Sequence, residues 1–242
     1  MAMLPILKID DGSLPNLILV VGDPDRLTSI ASLLKGTKEL GKNREYHSIT
    51  GFYNDKQIAV VSHGVGSAGA GACFEELCRG GAERIIRAGS AGGLQENVSA
   101  GDLVIAHAAV REDGLSRKIV PVSYPATATP DLIIKLRSAA NSAGINCHEG
   151  LVLTSDMFYP HEILGSDLPL WQRASVTAVE MEVATLFVIC RLHGVETAAV
   201  LAIDGNPLNQ DGGSMDTYNP NQDSVRNAVT ASITLALEAL TG

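Results

Sequence analysis

Arginines and glycines that could bind an anion follow short apolar runs of this sequence. Gly22 and Arg26 stand at a predicted strand-to-helix junction, where backbone N–H groups, the helix dipole and a guanidinium group can converge on one anion. An ordinary βα turn is the alternative there. Arg87 ends another apolar run close to Ser90, and a charge at such a position needs a partner. Together these residues predict a compact phosphate site. Arg44 is a possible third arginine, or a surface residue paired with the glutamate that follows it.

Three acidic residues stand at the ends of two other apolar runs. Glu180 and Glu182 flank Met181 at a predicted strand-to-helix junction, and a carboxylate there can accept both hydroxyl hydrogens of a ribose diol. Negative charge is also favourable at a helix N-terminus, so a purely structural role is the alternative. Asp204 ends the very apolar run 197–203. Such a carboxyl group could have a raised pKa and donate a proton, or it could cap a turn.

The segment 64–69 matches the pattern G-x-G-x-x-G between a predicted strand and a predicted helix. This pattern makes a dinucleotide-binding fold a competing interpretation. However, the segment follows the second main strand, and the next strand ends in Arg87 where an acidic ribose ligand would be expected. An arginine there could still suit a 2′-phosphate, so the alternative stays open at this stage.

The elements that must position these residues alternate along the chain. Apolar runs predict strands at 17–21, 58–62, 84–88, 103–106, 150–153, 176–179 and 197–203. Helical patterns lie at 25–34, 68–79, 130–143, 182–193 and 223–240. This alternation predicts one largely parallel or mixed sheet with helices on both faces. Ligands bind beyond the carboxyl ends of the strands in such sheets, so five polar or glycine-rich strand ends indicate one site.

Composition limits the classes of function that are open to this chain. Its 242 residues, 45% hydrophobic and 19% charged, fit a single domain over 1–242. The formal net charge of -9 argues against a nucleic-acid partner. No apolar run approaches the length of a membrane span, and we expect a cytoplasmic protein without membrane contact. The spacing of the cysteines and histidines indicates reduced thiols and no metal site.

These residues together resemble the nucleoside phosphorylase family, which includes purine nucleoside phosphorylases, uridine phosphorylases and related nucleosidases. The shared motifs occur in the family's order: Gly-Asp-Pro-x-Arg, Arg-Glu-Tyr, Ser-His-Gly-x-Gly, Arg-Ala-Gly-Ser-x-Gly, Ser-Asp-x-x-Tyr, Glu-Met-Glu and Asp-Gly. Two of the segments, 62–69 and 108–113, look most like those of purine phosphorylases from parasitic protozoa. The resemblance implies a three-layer α/β/α sandwich with a mixed central β-sheet.

The resemblance also implies roles for individual residues. Those implied in phosphate binding are Gly22, Arg26, Arg87 and Ser90, with Arg44 supplied by a neighbouring subunit. Those implied around the nucleoside are Ala91, Gly92, Tyr159, Glu180, Met181 and Glu182. Inorganic phosphate would be the co-substrate, and no cofactor is implied. Similar proteins are trimers of dimers, so we expect a homohexamer.

The implied reaction is the reversible phosphorolysis of purine ribonucleosides and deoxyribonucleosides, such as inosine and guanosine, to the free base and ribose or deoxyribose 1-phosphate in purine salvage. Look-alikes that act on purines place an aspartate at the position of Asp204, against N7 of the base, whereas uridine phosphorylases lack it. Uridine phosphorolysis, a nucleosidase activity and a non-catalytic nucleotide-binding role remain as alternatives. Ile6 stands where similar enzymes have a histidine near the 5′-hydroxyl, and Gln210 where the nearest look-alikes have a pocket tryptophan. These departures leave the 5′ group and the preferred purine open.

We predict that Asp204→Ala lowers kcat far more than it lowers stability. A proton or a strong hydrogen bond donated to N7 would neutralise the leaving purine, and general acids typically contribute about 10²- to 10⁴-fold. Steady-state kinetics and thermal unfolding of the same preparations measure the two effects. A pH profile of Asp204→Asn is the complementary measurement, and an unchanged rate in that variant would remove Asp204 from the chemistry.

Overall fold

The computed structural model describes residues 3–208 and 222–242. Two short antiparallel strands near the N-terminus, β1 (Met3–Leu4) and β2 (Ile9–Asp10), form a small sheet of their own. The strands of the main sheet are β3 (Leu17–Val21), β4 (Lys35–Asn43), β5 (Tyr46–Tyr53), β6 (Lys56–Ser62), β7 (Arg84–Gly93), β8 (Leu103–Glu112), β9 (Ala126–Thr127), β10 (Cys147–Ser155), β11 (Ala178–Glu180) and β12 (Glu196–Gly205). Their order is β11-β10-β8-β12-β7-β3-β6-β5-β4, with β9 beside β8.

Two groups of helices pack on this mixed sheet. The helices are α1 (Arg26–Ala31), α2 (Ser67–Arg79), α3 (Gly114–Ile119), α4 (Pro130–Ser142), α5 (Leu168–Arg173), α6 (Val183–Leu192) and α7 (Asp223–Thr241). α2, α3 and α6 contact one another, α4 packs against α7, and both groups contact strands of the sheet. The expected three-layer α/β/α architecture is therefore confirmed. Within the described ranges, no helix has the length and apolar character that crossing a membrane requires.

Every strand and helix predicted from the sequence is present, although several boundaries differ. The structure adds the antiparallel strands β4 and β5, which extend one side of the sheet, and the short helices α3 and α5. Most residues of β4 are exposed on both of its faces, so its sequence lacks the apolar alternation that reveals a half-buried strand. Strand β7 runs on to Gly93 because its glycine-rich end pairs with β12 and β11.

The N-terminal segment is fastened to the body of the protein by two polar side chains. Glu76 in α2 is buried, and its carboxylate accepts the backbone N–H groups of Ile6 at 2.7 Å and Leu7 at 2.8 Å. Asn43, at the end of β4, donates to the carbonyl oxygen of Ile6 at 2.7 Å. Ile6 therefore lies beside the turn that joins β4 to β5.

The segment 108–113, which the sequence singles out, has a structural role at the end of β8. Arg111 is buried and donates to backbone carbonyl oxygens of the following loop, including those of Pro121 at 2.8 Å and Tyr124 at 2.6 Å. Gly114, at the start of α3, donates its N–H to the Asp156 carboxylate at 2.7 Å. This loop thereby supports the segment after β10, which carries the Ser-Asp-x-x-Tyr motif.

Candidate functional site

A cavity of about 850 Å³ opens beyond the carboxyl ends of the parallel strands. The predicted site residues in its wall are Gly22, Arg26, Arg87, Ser90, Ala91, Gly92, Glu180, Met181, Glu182 and Asp204. They come from the ends of β3, β7, β11 and β12, and Gly64 after β6 joins them. The five strand ends therefore meet at one place, as the sequence predicts.

Arg87 is a buried cation in this wall, with 3% of its surface exposed. Its Nη2 atom donates to Oε2 of Glu182 in a close ion pair and lies 3.6 Å from Oε2 of Glu180. The guanidinium group lies over Gly89, where a Cβ atom would come within 1.9 Å of Nη1. Nε and Nη1 have no hydrogen-bond partner within the described residues. A buried guanidinium group with unused donors is suited to an anionic ligand.

Glu182 stands between this cation and the glycine-rich segment 64–69. Its Oε1 atom accepts the backbone N–H of Gly66 at 2.6 Å, while Oε2 accepts from Arg87. The adjacent Ser67 hydroxyl donates to the Met181 carbonyl oxygen at 2.8 Å. The N–H that a dinucleotide phosphate would need is thus bound to a carboxylate of the protein, which argues against the dinucleotide interpretation. Each oxygen of Glu182 has a further lone pair for a ligand hydroxyl group.

Both carboxylate oxygens of Glu180 accept hydrogen bonds from the protein, although the residue also lines the cavity. Its carboxylate accepts the Thr154 hydroxyl at 2.6 Å and the backbone N–H groups of Glu182 at 2.8 Å and Val183 at 2.9 Å. Burial raises the pKa of Glu180 to about 7; Arg87 opposes this shift, and the charge of Glu182 adds to it. Glu180 therefore holds the first turn of α6, and with it Glu182, in position.

Asp204 reaches the cavity from an irregular position in β12. The pairing of β12 with β7 shifts between Ile203, which is opposite Ala91, and Gly205, which is opposite Gly92. Such a bulge bends the strand and redirects a side chain, and bulges are common next to active sites. Asp204 lies in this bulge and lines the cavity.

Two predicted residues lie outside the cavity wall of the single chain. Arg44 is exposed in the turn between β4 and β5, where its φ of 56° places it in the left-handed region. Tyr159 is 74% exposed and packs edge-on against Phe158, with ring centroids 4.9 Å apart. The roles of both residues stay predictions. Gln210 lies outside the described residues.

Several wall residues were not singled out by sequence reasoning. Met157 and Phe158 belong to the Ser-Asp-x-x-Tyr segment, so that motif indicated the right part of the chain, while the role of its tyrosine stays a prediction. Glu45 and Val65 likewise lie inside the Arg-Glu-Tyr and Ser-His-Gly-x-Gly motifs, and Asn206 directly follows Asp-Gly. Val98 and Pro207, by contrast, come from turns without a recognisable pattern.

Comparison with known proteins identifies the family of this chain. The sequence profile of the phosphorylase superfamily matches residues 16–241. This chain belongs to the phosphorylase superfamily. Among similar superfamily members is the purine nucleoside phosphorylase of Plasmodium falciparum (isolate 3D7), 42% identical over 211 residues that cover 87% of this chain and 86% of that protein. The uridine phosphorylase of Thermococcus kodakarensis is 36% identical over 213 residues, which cover 84% and 77% respectively.

A solved structure of another superfamily member shares the fold closely. The purine nucleoside phosphorylase of Toxoplasma gondii, in complex with immucillin-H, has a TM-score of 0.94 and 33% sequence identity, and the match covers 99% of this chain and 96% of that one. The resemblance to nucleoside phosphorylases is therefore confirmed. Both purine and uridine phosphorylases are among the superfamily members similar to this chain, so these likenesses do not decide which base it takes.

We predict that Glu180→Gln flattens the dependence of stability on pH. The pKa of Glu180 is raised from 4.5 to about 7, so its contribution to stability is complete below about pH 4.5 and is lost as the pH rises through about 7. Relative to the variant, the wild-type protein should lose free energy of unfolding between pH 5 and pH 8. Urea denaturation across this range, about pH 5–8, measures the difference.

Glu149→Gln is the matched control for this experiment. Hydrogen bonds from Arg137, and to a lesser extent from His107, lower the pKa of Glu149 to about 2, although partial burial opposes this shift. The stabilising effect of the Glu149 carboxylate is therefore lost only in strong acid. Measured in a His107→Ala background, so that no histidine paired with Glu149 titrates in this range, the stability difference made by Glu149→Gln should not change over the same range of pH. A Glu180→Gln curve parallel to that of the wild type would contradict the assignment of a raised pKa to Glu180.

Proposed function

We propose that this protein catalyses the reversible phosphorolysis of purine nucleosides to the free base and ribose 1-phosphate. The observation that carries the proposal is the contact between Arg87 and Glu182 in the wall of one cavity. It places a cation with unused donors directly beside an acceptor for ribose hydroxyl groups. Phosphate and the sugar that it attacks would therefore bind next to each other.

Phosphate would bind to Arg87 together with three nearby groups of the wall. Arg26 begins α1, directly after the turn that starts at Gly22, and Ser90 lies three residues beyond Arg87 in β7. Guanidinium groups bind tetrahedral oxyanions through several hydrogen bonds at once. The negative charge of the phosphate would stabilise the oxocarbenium-like ribose as the base departs, and no covalent enzyme intermediate is required.

Two features support a purine rather than uracil as the base. Asp204 lines the cavity from the bulge in β12, where a carboxyl group can face a ring nitrogen of the leaving base. The segment 160–163 reads Pro-His-Glu-Ile, without the Gln-x-Arg element of uridine phosphorylases. Asp204 would donate a proton or a strong hydrogen bond to N7 and so neutralise the leaving group.

Base release from inosine and from uridine, each with and without inorganic phosphate, tests the proposal. We expect hypoxanthine and ribose 1-phosphate, formed from inosine only when phosphate is present, as identified by chromatography. Uracil release that depends on phosphate would instead establish a uridine phosphorylase. Release without phosphate would indicate a nucleosidase, and the absence of release from both nucleosides would point to a binding protein.

We further infer that Arg44 completes the phosphate site of a neighbouring subunit in a homohexamer. Arg44 is exposed and does not line the cavity of its own chain. The turn that carries it is tied to the N-terminal segment through the bond from Asn43 to Ile6, so both would enter a subunit contact together.

Mixed oligomers of two inactive variants test this sharing. Arg44→Ala and Asp204→Ala should each be nearly inactive alone, because each removes one component from every site. In a mixed dimer one of the two sites receives both intact residues. Random pairing of co-expressed chains at a 1:1 ratio makes about half of the dimers mixed, so the preparation should regain about one quarter of the wild-type activity. Activity no greater than that of the separate variants would place Arg44 outside the neighbour's site.

A further inference from the structure

The cavity wall has more carboxylate groups than guanidinium groups. Among the described residues its cations are Arg26 and Arg87, and its acidic residues are Asp23, Glu45, Glu180, Glu182 and Asp204. Arg44 of a neighbouring subunit would still leave the carboxylates in excess. Like charges at short range repel one another, so a site for a phosphate dianion in this wall requires an explanation. Uptake of a proton by one carboxylate would remove part of the repulsion.

Two of these carboxylates share one guanidinium group. Nη2 of Arg87 donates to Oε2 of Glu182 and lies 3.6 Å from Oε2 of Glu180, which is beyond hydrogen-bond distance. Each of the three side chains is at most 5% exposed. One positive charge therefore faces two negative charges in a place that water hardly reaches. Two carboxylates that share such a site favour protonation of one of them.

Glu180 is better placed than Glu182 to take up the proton. Glu182 makes the close ion pair with Arg87 and accepts the N–H of Gly66 at 2.6 Å, and both contacts favour its ionised form. Oε1 of Glu180, by contrast, lies 2.6 Å from the hydroxyl oxygen of Thr154, and a hydroxyl group can turn from donor to acceptor. A protonated Glu180 can thus donate to Thr154 while its Oε2 still accepts the N–H groups at the start of α6.

The surroundings of Glu180 allow its carboxyl group to change charge near neutral pH. Burial is the largest cause that raises its pKa to about 7, Arg87 lowers the pKa, and Glu182 raises it further. His63 is a second buried titratable group near Arg87, but burial, followed by the charge of Arg87, holds its pKa well below the usual value, so its ring is neutral near pH 7. Nε and Nη1 of Arg87 have no partner within the described residues. An anion that they bind would add negative charge beside the carboxylates and favour a protonated Glu180.

We propose that Glu180 takes up a proton when phosphate binds to Arg87, and thereby offsets part of the negative charge that the anion brings into the cavity. The proton comes from the solvent and adds to Oε1. Glu180 acts on the anion through Arg87 and not by contact, so its role is that of a positioning residue. Affinity for the anion would decrease as the pH rises and this proton is lost. The inference rests on the proposed function, because it concerns the same phosphate site.

Titration calorimetry with sulfate tests the inference, because sulfate is a tetrahedral dianion that gains and loses no proton near neutral pH. Buffers with different enthalpies of ionisation give the number of protons taken up per anion bound. Glu180 is mostly ionised in the free protein at about pH 7.5, so the wild type should take up about half a proton per sulfate. Its affinity for sulfate should fall about fivefold between about pH 7 and 8.5.

Glu180→Gln should remove most of this proton uptake, because the amide does not titrate. It should also bind sulfate more tightly than the wild type at about pH 8.5, since a neutral group replaces the carboxylate. Thr154→Val provides a second variant that keeps Glu180. It removes a hydrogen bond that favours the ionised carboxylate, so the fall in sulfate affinity should move to higher pH.

Glu76→Gln is the matched control. Glu76 is a buried carboxylate that also accepts two backbone N–H groups, but it lies outside the cavity wall formed by the described residues. This variant should retain the proton uptake of the wild type.

Three outcomes would overturn the inference alone. Equal proton uptake, or none, in wild type and Glu180→Gln would mean that Glu180 does not carry the proton. Weaker sulfate binding by Glu180→Gln at every pH would indicate a purely structural role. The third outcome is a protein that releases base only with phosphate and yet binds no sulfate. A wild-type protein that binds neither sulfate nor phosphate would overturn the proposed function as well.

Discussion

The buried ion pair between Arg87 and Glu182 is the interaction on which the rest of the site depends. A charged side chain inside a protein is costly unless it has a partner, and either residue alone would leave an uncompensated charge. Glu182 is fixed in turn by the N–H of Gly66 and by the cap that Glu180 provides for α6. The cation and the carboxylate are thus built as one unit, and a change to either residue alters the surroundings of the other.

The mixed sheet explains why so few residues suffice to form this site. Strands β3, β6 and β7 run parallel, so their carboxyl ends lie at one edge, and glycines there allow charged groups and the backbone to approach closely. Asp204 joins them through a bulge, and Glu182 through the short strand β11, which is antiparallel to β7 and precedes α6. Residues far apart in sequence thereby surround one cavity.

The strands and helices with a buried face could be predicted from the sequence, because burial leaves a periodic apolar pattern. The polar residues at the strand ends could be predicted as well, because they directly follow the apolar runs. The sequence could not predict β4, which has exposed residues on both faces. Nor could it resolve what segment 64–69 binds, because the same glycine spacing serves a dinucleotide or, as the structure shows, the carboxylate of Glu182. The hydrogen bonds that Glu180 accepts from Thr154 and from the start of α6 depend on tertiary contacts that leave no local pattern.

The close approach of Arg87 to Gly89 has a consequence for natural variation at this position. The methyl group of an alanine would come within 1.9 Å of Nη1, far inside contact distance, so even the smallest side chain would force the guanidinium group to move from its place beside Glu182. That carboxylate would then be left buried without its counter-charge. Position 89 should therefore tolerate substitution no better than position 87, although it contributes no chemical group. What position 89 supplies is the space that the guanidinium group of Arg87 fills.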